Sequence, residues 1–196
     1  MSGSPDLSLL AEDVLDIAPR LLGASLTHAG VTVRLTEVEA YAGTDDPGSH
    51  AYRGPTPRTR VMFGPPGRLY AYFSYGMHVC ANVVTGPEGT ASAVLLRAGQ
   101  VVEGVELARE RRTTTRERDL ARGPANLCRA LGIGLELDGT DLSQGPVRLQ
   151  LGQAPDPAQV STGPRVGLRQ APDRPWRFWL TGEPTVSAYR PATRRR

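Results

Sequence analysis

Lysine is absent from this chain: all 23 basic side chains among its 196 residues are arginines. A Schiff-base nucleophile is therefore excluded, except for the chain's own α-amino group. Arginine is permanently charged and fork-shaped, so it serves phosphate contacts and not nucleophilic attack. Cysteine is scarce as well. Cys80 and Cys128 make no framework and read as reduced, buried thiols of a cytosolic protein. No run approaches the roughly 20 apolar residues that a membrane helix needs. The opening MSGSPDLSLL has neither a basic n-region nor a long apolar h-region, so secretion is not expected. These absences predict a soluble cytoplasmic protein with no membrane partner.

A further absence is local. Between Pro47 and Pro87 there is no Asp or Glu, while Arg53, Arg58, Arg60 and Arg68 are present. On one side of this stretch stands EVEAYAG (37–43), and within it runs the aromatic segment YAYFSYGMHVCANVV (70–84). Stacking rings in a positive field suit a polyanion whose bases are handled one at a time. A net charge of +3 and a pI near 9.2 permit such a partner without demanding it. At 39% hydrophobic, 196 residues can bury one substantial core. A single domain over 1–196 is expected, with 1–15 and 190–196 flexible.

Periodicity gives the elements. Asp16 can cap a short helix that carries Pro19 and ends at Gly23. A hairpin follows, with a strand over 24–28, a turn at Ala29–Gly30 and a long strand from Val31 to Tyr41. Strict alternation would put Val31, Val33, Leu35, Glu37, Glu39 and Tyr41 on one face. Residues 43–67 read as a loop full of breakers, and such long segments are usually functional. Strands at 68–73 and 78–84 flank a tight turn, Ser74-Tyr75-Gly76-Met77, and 91–98 is a third strand. Residues 101–112 are helical, 113–119 is a polar mobile stretch, and 122–134 is a helix with Pro124 first and Gly132 or Gly134 last. Short strands are expected near 147–151, 165–168 and 176–181. The fold class is α+β and mainly β: a curved antiparallel sheet, or partly open barrel, with helices around it and a protruding β-hairpin.

The candidate chemistry centres on Glu39. A strand-end carboxylate can simply pair with an arginine, and Arg97, on an otherwise apolar strand face with Leu95, is the obvious partner. Beside Tyr41 and apolar neighbours, however, a buried Glu is costly unless it has a task. That task would be general base toward water, a role worth on the order of 10²–10⁴-fold. Glu37 is its rival, and alternation cannot separate the two. Tyr75, at a hairpin tip with little to pack against, resembles a wedge that enters a base stack. His50 has no second His or Cys at ligand spacing, so neither a metal nor a cofactor is expected. If Arg53, Arg58, Arg60 and Arg68 all met phosphates, binding would carry a salt slope of about −3.6.

At these residues the chain is similar to the alkyladenine (3-methyladenine/methylpurine) DNA glycosylase family. EVEAY (37–41), SHAYRG (49–54), TPR (56–58), MF (62–63), YAYFSYGM (70–77), LLRA (95–98), GPANLC (123–128), RVG (165–167) and RFW (177–179) occur in that family's order and approximate spacing. The resemblance runs from about residue 17 to residue 188. It implies that Glu39 activates a hydrolytic water with Arg97 helping to position it. Tyr41 and His50 would cover one face of a flipped purine and Tyr72 the other, with Leu95 in the same pocket. Asn82 would crowd the 2-amino group of normal guanine. Tyr75, with Met77 beside it, would fill the vacated space in the duplex, and Arg53, Thr56, Arg58, Arg60 and Arg68 would meet phosphates. The implied partner is double-stranded DNA with a damaged purine, bound by a monomer in a bacterial cytoplasm. Val79 departs from the family pattern, because relatives usually carry an aromatic there. Two other readings stay open: a non-catalytic nucleic-acid-binding module on a related β fold, and a nucleosidase.

Overall fold

A computed structural model describes residues 6–74, 76–114 and 116–192. Its centre is one sheet of nine antiparallel strands that stays open and does not close into a barrel. The strands are β1 (Ser25–His28), β2 (Val31–Tyr41), β3 (Leu69–Ser74), β4 (His78–Thr85), β5 (Ser92–Glu103), β6 (Ala121–Arg122), β7 (Arg148–Gln150), β8 (Val160–Gly163) and β9 (Arg177–Leu180). Along the main path the order is β3-β4-β5-β2-β1-β7. β6 pairs with β5, and β9 joins β2 while carrying β8. The hairpin of β3 and β4 protrudes at one edge. Its tip residue Met77 is 71% exposed, and Tyr75 lies outside the described residues.

The three helices are α1 (Val14–Arg20), α2 (Val105–Arg112) and α3 (Pro124–Leu131). All three contribute to a core on one face of the sheet, where Ile17, Ala108 and Leu127 meet Val33, Leu35, Val38, Val83 and Leu96. Burial of each large aliphatic side chain contributes roughly 1.5–3 kcal/mol. Leu10 and Val14, inside the stretch expected to be flexible, are buried in this core.

Alternation along β2 is interrupted, and this places the site. Leu35 pairs with Gly99 but Glu37 with Ala98, so one extra residue is inserted at Thr36. A bulge of this kind shifts the side-chain parity of the strand. Val31, Val33 and Leu35 before it, and Val38 and Ala40 after it, all belong to the core. Glu37, Glu39 and Tyr41 therefore emerge on the opposite face, and the single face expected for all six residues does not exist. Without the bulge, two carboxylates would point into the aliphatic core.

Other boundaries moved for local reasons. Asp13, not Asp16, caps α1, its side chain accepting from Leu15 N–H at 2.8 Å. β5 runs on to Glu103 and delays α2 until Val105. Gly104 makes the turn with φ +72°, where a Cβ would sit 2.1 Å from the Gly30 carbonyl oxygen. The strand expected at 165–168 lies instead at Val160–Gly163. Residues 165–168 lie in the connection to β9, where they are free to line a cavity. The 122–134 helix holds as Pro124–Leu131, with Gly132 in the left-handed region at its end.

Candidate active site

On the sheet face away from the core lies a cavity of about 450 Å³, within the usual range for small-ligand pockets. Four adjacent strands furnish its floor in alternate positions: Tyr70 and Tyr72 from β3, Cys80 and Asn82 from β4, Leu95 and Arg97 from β5, Glu39 and Tyr41 from β2. The 43–67 segment closes one side with His50, Arg58 and Met62, and Val166 to Leu168 close another. Glu39 is the one acidic residue of this lining among the described residues.

The two carboxylates have separate surroundings. Glu37 has no exposed surface, and every donor near it is fixed. Its Oε1 accepts from Arg97 Nε at 2.8 Å, Arg177 Nε at 2.7 Å and Ser187 Oγ at 2.9 Å, and its Oε2 from Ser187 N–H at 2.6 Å. Glu39 is equally shielded from bulk solvent but lies against the cavity. Oε1 accepts from Val166 N–H at 2.7 Å and lies 3.3 Å from Arg97 Nη1, while Oε2 accepts from the Tyr41 hydroxyl at 2.9 Å. A carboxylate offers about four lone-pair positions. Three donors leave room for about one more, on the only acid that lines the cavity among the described residues. Arg97 thus bridges both carboxylates, and its closer partner is Glu37.

Rings form the remainder. Tyr70 and Tyr72, two residues apart on β3, stack at 5.4 Å. His50 meets Tyr72 edge-on at 4.6 Å, and its Nδ1 lies 3.3 Å from the Tyr70 hydroxyl. Although the ring keeps solvent-accessible surface, crowding by protein atoms, then the Arg58 charge, pushes its pKa down to about 4. At neutral pH it is an uncharged imidazole. Burial, followed by the Glu39 charge, raises the Tyr41 phenol well above its ordinary value, and burial likewise raises Tyr72. Asn82 donates from Nδ2 to the Tyr70 carbonyl at 3.0 Å, which fixes its amide, while its Oδ1 makes no protein bond among the described residues.

All seven residues that the resemblance placed at the chemistry or around a base therefore line one cavity. A family model described as methylpurine-DNA glycosylase matches residues 8–184. The chain belongs to the methylpurine-DNA glycosylase family. Among its relatives, one from Frankia casuarinae is 56% identical over 194 residues, covering 93% of this chain and 92% of the relative. One from Streptomyces avermitilis is 52% identical over 210 residues, with 100% and 99% covered, and one from Mycobacterium tuberculosis is 54% identical with 94% of each covered. All three carry the provisional name 3-methyladenine DNA glycosylase.

Relative to this cavity, the basic set is dispersed. Arg58 sits at the cavity wall, its guanidinium 5.1 Å from the Tyr72 ring centre and Nη2 3.2 Å from the Phe73 carbonyl. Arg53 and Arg60 are exposed and have no acidic partner among the described residues. Arg68 is 3.6 Å from Asp141, and Thr56 is bonded to Thr59 within its own turn.

Several site residues receive no role from the sequence, even where, as for Arg165 in RVG and Arg177 in RFW, they stand in fragments that carry the resemblance. Arg165 is fully buried, gives both terminal nitrogens to Asp46 and one of them also to the Ala40 carbonyl. Its guanidinium stacks 4.6 Å from the Tyr41 ring and 5.0 Å from Trp176. This pair ties the loop leading to His50 to the segment that offers Val166 N–H to Glu39. Removal of one partner from such a buried pair costs about 3–5 kcal/mol. Arg177 and Ser187 hold Glu37 from 140 and 150 residues away in sequence, a distance no periodicity spans.

Proposed function

We propose that the chain is a monofunctional DNA glycosylase that hydrolyses the N-glycosidic bond of alkylated or deaminated purines in duplex DNA, acting as a monomer without cofactor. The observation that carries this reading is Glu39: among the described residues, the one acid on a ring-lined cavity floor, held by Arg97, Tyr41 and Val166. In this scheme the damaged nucleotide leaves the helix and its base enters the cavity. Glu39 takes a proton from a water whose oxygen bonds to C1′ of the sugar. The C1′–N bond breaks, and the base departs with that electron pair. The developing oxocarbenium character is stabilised by the same carboxylate.

Substrate breadth follows from leaving groups. 3-Methyladenine and 7-methylguanine already bear positive charge and leave as neutral bases, and stacking on Tyr72 and Tyr41 gains cation–π attraction. Hypoxanthine and ethenoadenine must gain a proton as they depart. His50, neutral at pH 7, is a poor source of it. His50 and Tyr72 touch edge-on, so a base stacked on Tyr72 displaces the imidazole. Asn82, locked by Tyr70, would crowd the 2-amino group of guanine. Tyr75 and Met77 would occupy the gap in the duplex, and Arg53, Thr56, Arg58, Arg60 and Arg68 would follow its phosphates. Because lysine is absent, no lysine side chain can form the Schiff base that would cleave the strand after excision.

A duplex oligonucleotide with one hypoxanthine or ethenoadenine, incubated with protein and then alkali, tests the scheme. Alkali-dependent cleavage by wild type but not by Glu39→Gln supports it. Full activity in Glu39→Gln, or release of base from free nucleosides only, overturns it.

A further inference from the structure

A second cavity of about 440 Å³ lies behind the first. The two share Arg97 and Val166, so one guanidinium and one stretch of backbone form the partition between them. Its other charged groups are Arg112, Arg122 and Arg190 against Asp119, the one acid of this lining among the described residues. Asp119 is divided between Arg122, 3.4 Å away, and Arg118 at 4.0 Å. Positive charge is therefore in surplus. Burial and the neighbouring Arg129 both push Arg112's pKa down, as a positive surrounding does.

The arginines are held so that donors remain free. Arg112 and Arg122 each spend Nε on a backbone carbonyl, of Leu120 and Val186, both at 2.8 Å. Arg112's fork is thus anchored by one nitrogen, and Arg122's by Nε and by Nη1, which lies 3.4 Å from Asp119. Arg190 is exposed with no side-chain partner among the described residues. Helix α3 begins at this cavity: Gly123 and Asn126 line it, and Gly123 supplies no side-chain cap. The helix's positive end adds to the arginine field. Arg97 reaches this side through Nη2, which has only a 3.3 Å contact to Ser187 Oγ. None of Arg112, Arg122 and Arg190 has a part in the chemistry proposed above.

We infer that this cavity receives a DNA backbone phosphate adjoining the nucleotide whose base occupies the first cavity. The inference rests on the glycosylase reading, because a base beside Glu39 puts its sugar at the shared partition and its phosphates a few bonds beyond. A phosphate there would meet Arg97 through Nη2 while Glu37 holds Nε and Glu39 faces Nη1. Seating the backbone would in this way fix the group that orients the general base.

The test is a cycle between protein and substrate. Single-turnover excision of 7-methylguanine is measured with ordinary duplex and with methylphosphonates that neutralise the 5′ or the 3′ flanking phosphate. Wild type is compared with Arg112→Gln/Arg190→Gln and, as a variant with no fold contact to lose, Arg190→Gln alone. The wild type should lose on the order of ten-fold at one of the two methylphosphonates, as for a charged hydrogen bond. The variants should lose rate on ordinary DNA and be insensitive to that replacement. Equal sensitivity of wild type and variants would overturn the site. Phosphorus NMR of inorganic phosphate gives an arm that needs no excision. Broadening by wild type that the double variant lacks supports the anion site even if no lesion is cut, and equal broadening overturns it.

Discussion

The hydroxyl of Tyr41 donates to Oε2 of Glu39 at 2.9 Å, from two positions further along the same strand. Because β2 has already passed its bulge, both side chains leave the same face. Tyr41 thus orients the carboxylate that it also shields. Tyr41→Phe frees Oε2 and lets the carboxylate rotate. Excision should fall about ten-fold in kcat, in line with loss of one charged hydrogen bond, with little change in the melting temperature. An unchanged kcat would show that Arg97 and Val166 suffice.

Glu37 should separate from Glu39 by stability. Glu37→Gln leaves Arg97 and Arg177 buried with reduced compensation, and the cost should be about 3–5 kcal/mol in urea unfolding. Glu39→Gln removes a carboxylate that has the Arg97 contact only at 3.3 Å, and should lose activity with a clearly smaller stability change. A reversed order of the two stabilities would exchange their roles.

His50 gives a pH signature. Its pKa falls from the ordinary 6.5 to about 4, so between these values the unfolded chain binds the proton that the folded one refuses. Stability therefore falls as pH drops from about 6.5 toward 4 and gains nothing from this group above 6.5. The Hε1 resonance missing from His50→Gln should titrate near pH 4 in the wild type. A midpoint near 6.5 would remove the argument that His50 is no proton donor at neutral pH.

Asn82 bears on guanine. Its amide is fixed by the Tyr70 carbonyl, so it cannot turn aside for a 2-amino group. Asn82→Ser should release measurable guanine from undamaged DNA where wild type releases none, as quantified by chromatography of free bases. No release would move discrimination elsewhere in the cavity.

The hairpin tip bears on duplex opening. Phe73 and Met77 beside it are 50% and 71% exposed, costly for apolar groups without a partner. Tyr75→Ala should slow excision from duplex more than from single-stranded DNA, since only the duplex needs its gap filled. Equal losses on both substrates would end the wedge reading.

Much of this was legible because β-structure writes alternation into sequence. Tyr70 and Tyr72, and Cys80 and Asn82, keep strict parity and land on the cavity face; Leu95 and Arg97 line it too, although Arg97 stands at a register shift between the Leu96 and Ala98 pairs. Pro124 marked the start of α3 from its backbone limits alone, while the helix's end was narrowed to Gly132 or Gly134, of which the structure uses Gly132. Alternation failed on β2, where one inserted residue at Thr36 shifted the parity between Leu35 and Glu37. A bulge depends on the register of the neighbouring strand, which the strand's own residues do not record. The helix cap moved from Asp16 to Asp13 for a smaller reason, since both carboxylates lie within reach of a first turn.

The sequence by itself determined the chemistry available: no lysine, one acid-free basic stretch, a carboxylate two residues before a tyrosine, and alternating rings. Those are properties of side chains and of neighbours along the chain, which composition and short spacing carry. Only the tertiary structure decided which carboxylate faces the cavity and which is a buried anchor. That choice is made by Arg97, Arg177, Ser187 and Val166, drawn from distant segments. Hydrogen bonding acts over about 3 Å in space, with no regard for separation along the chain.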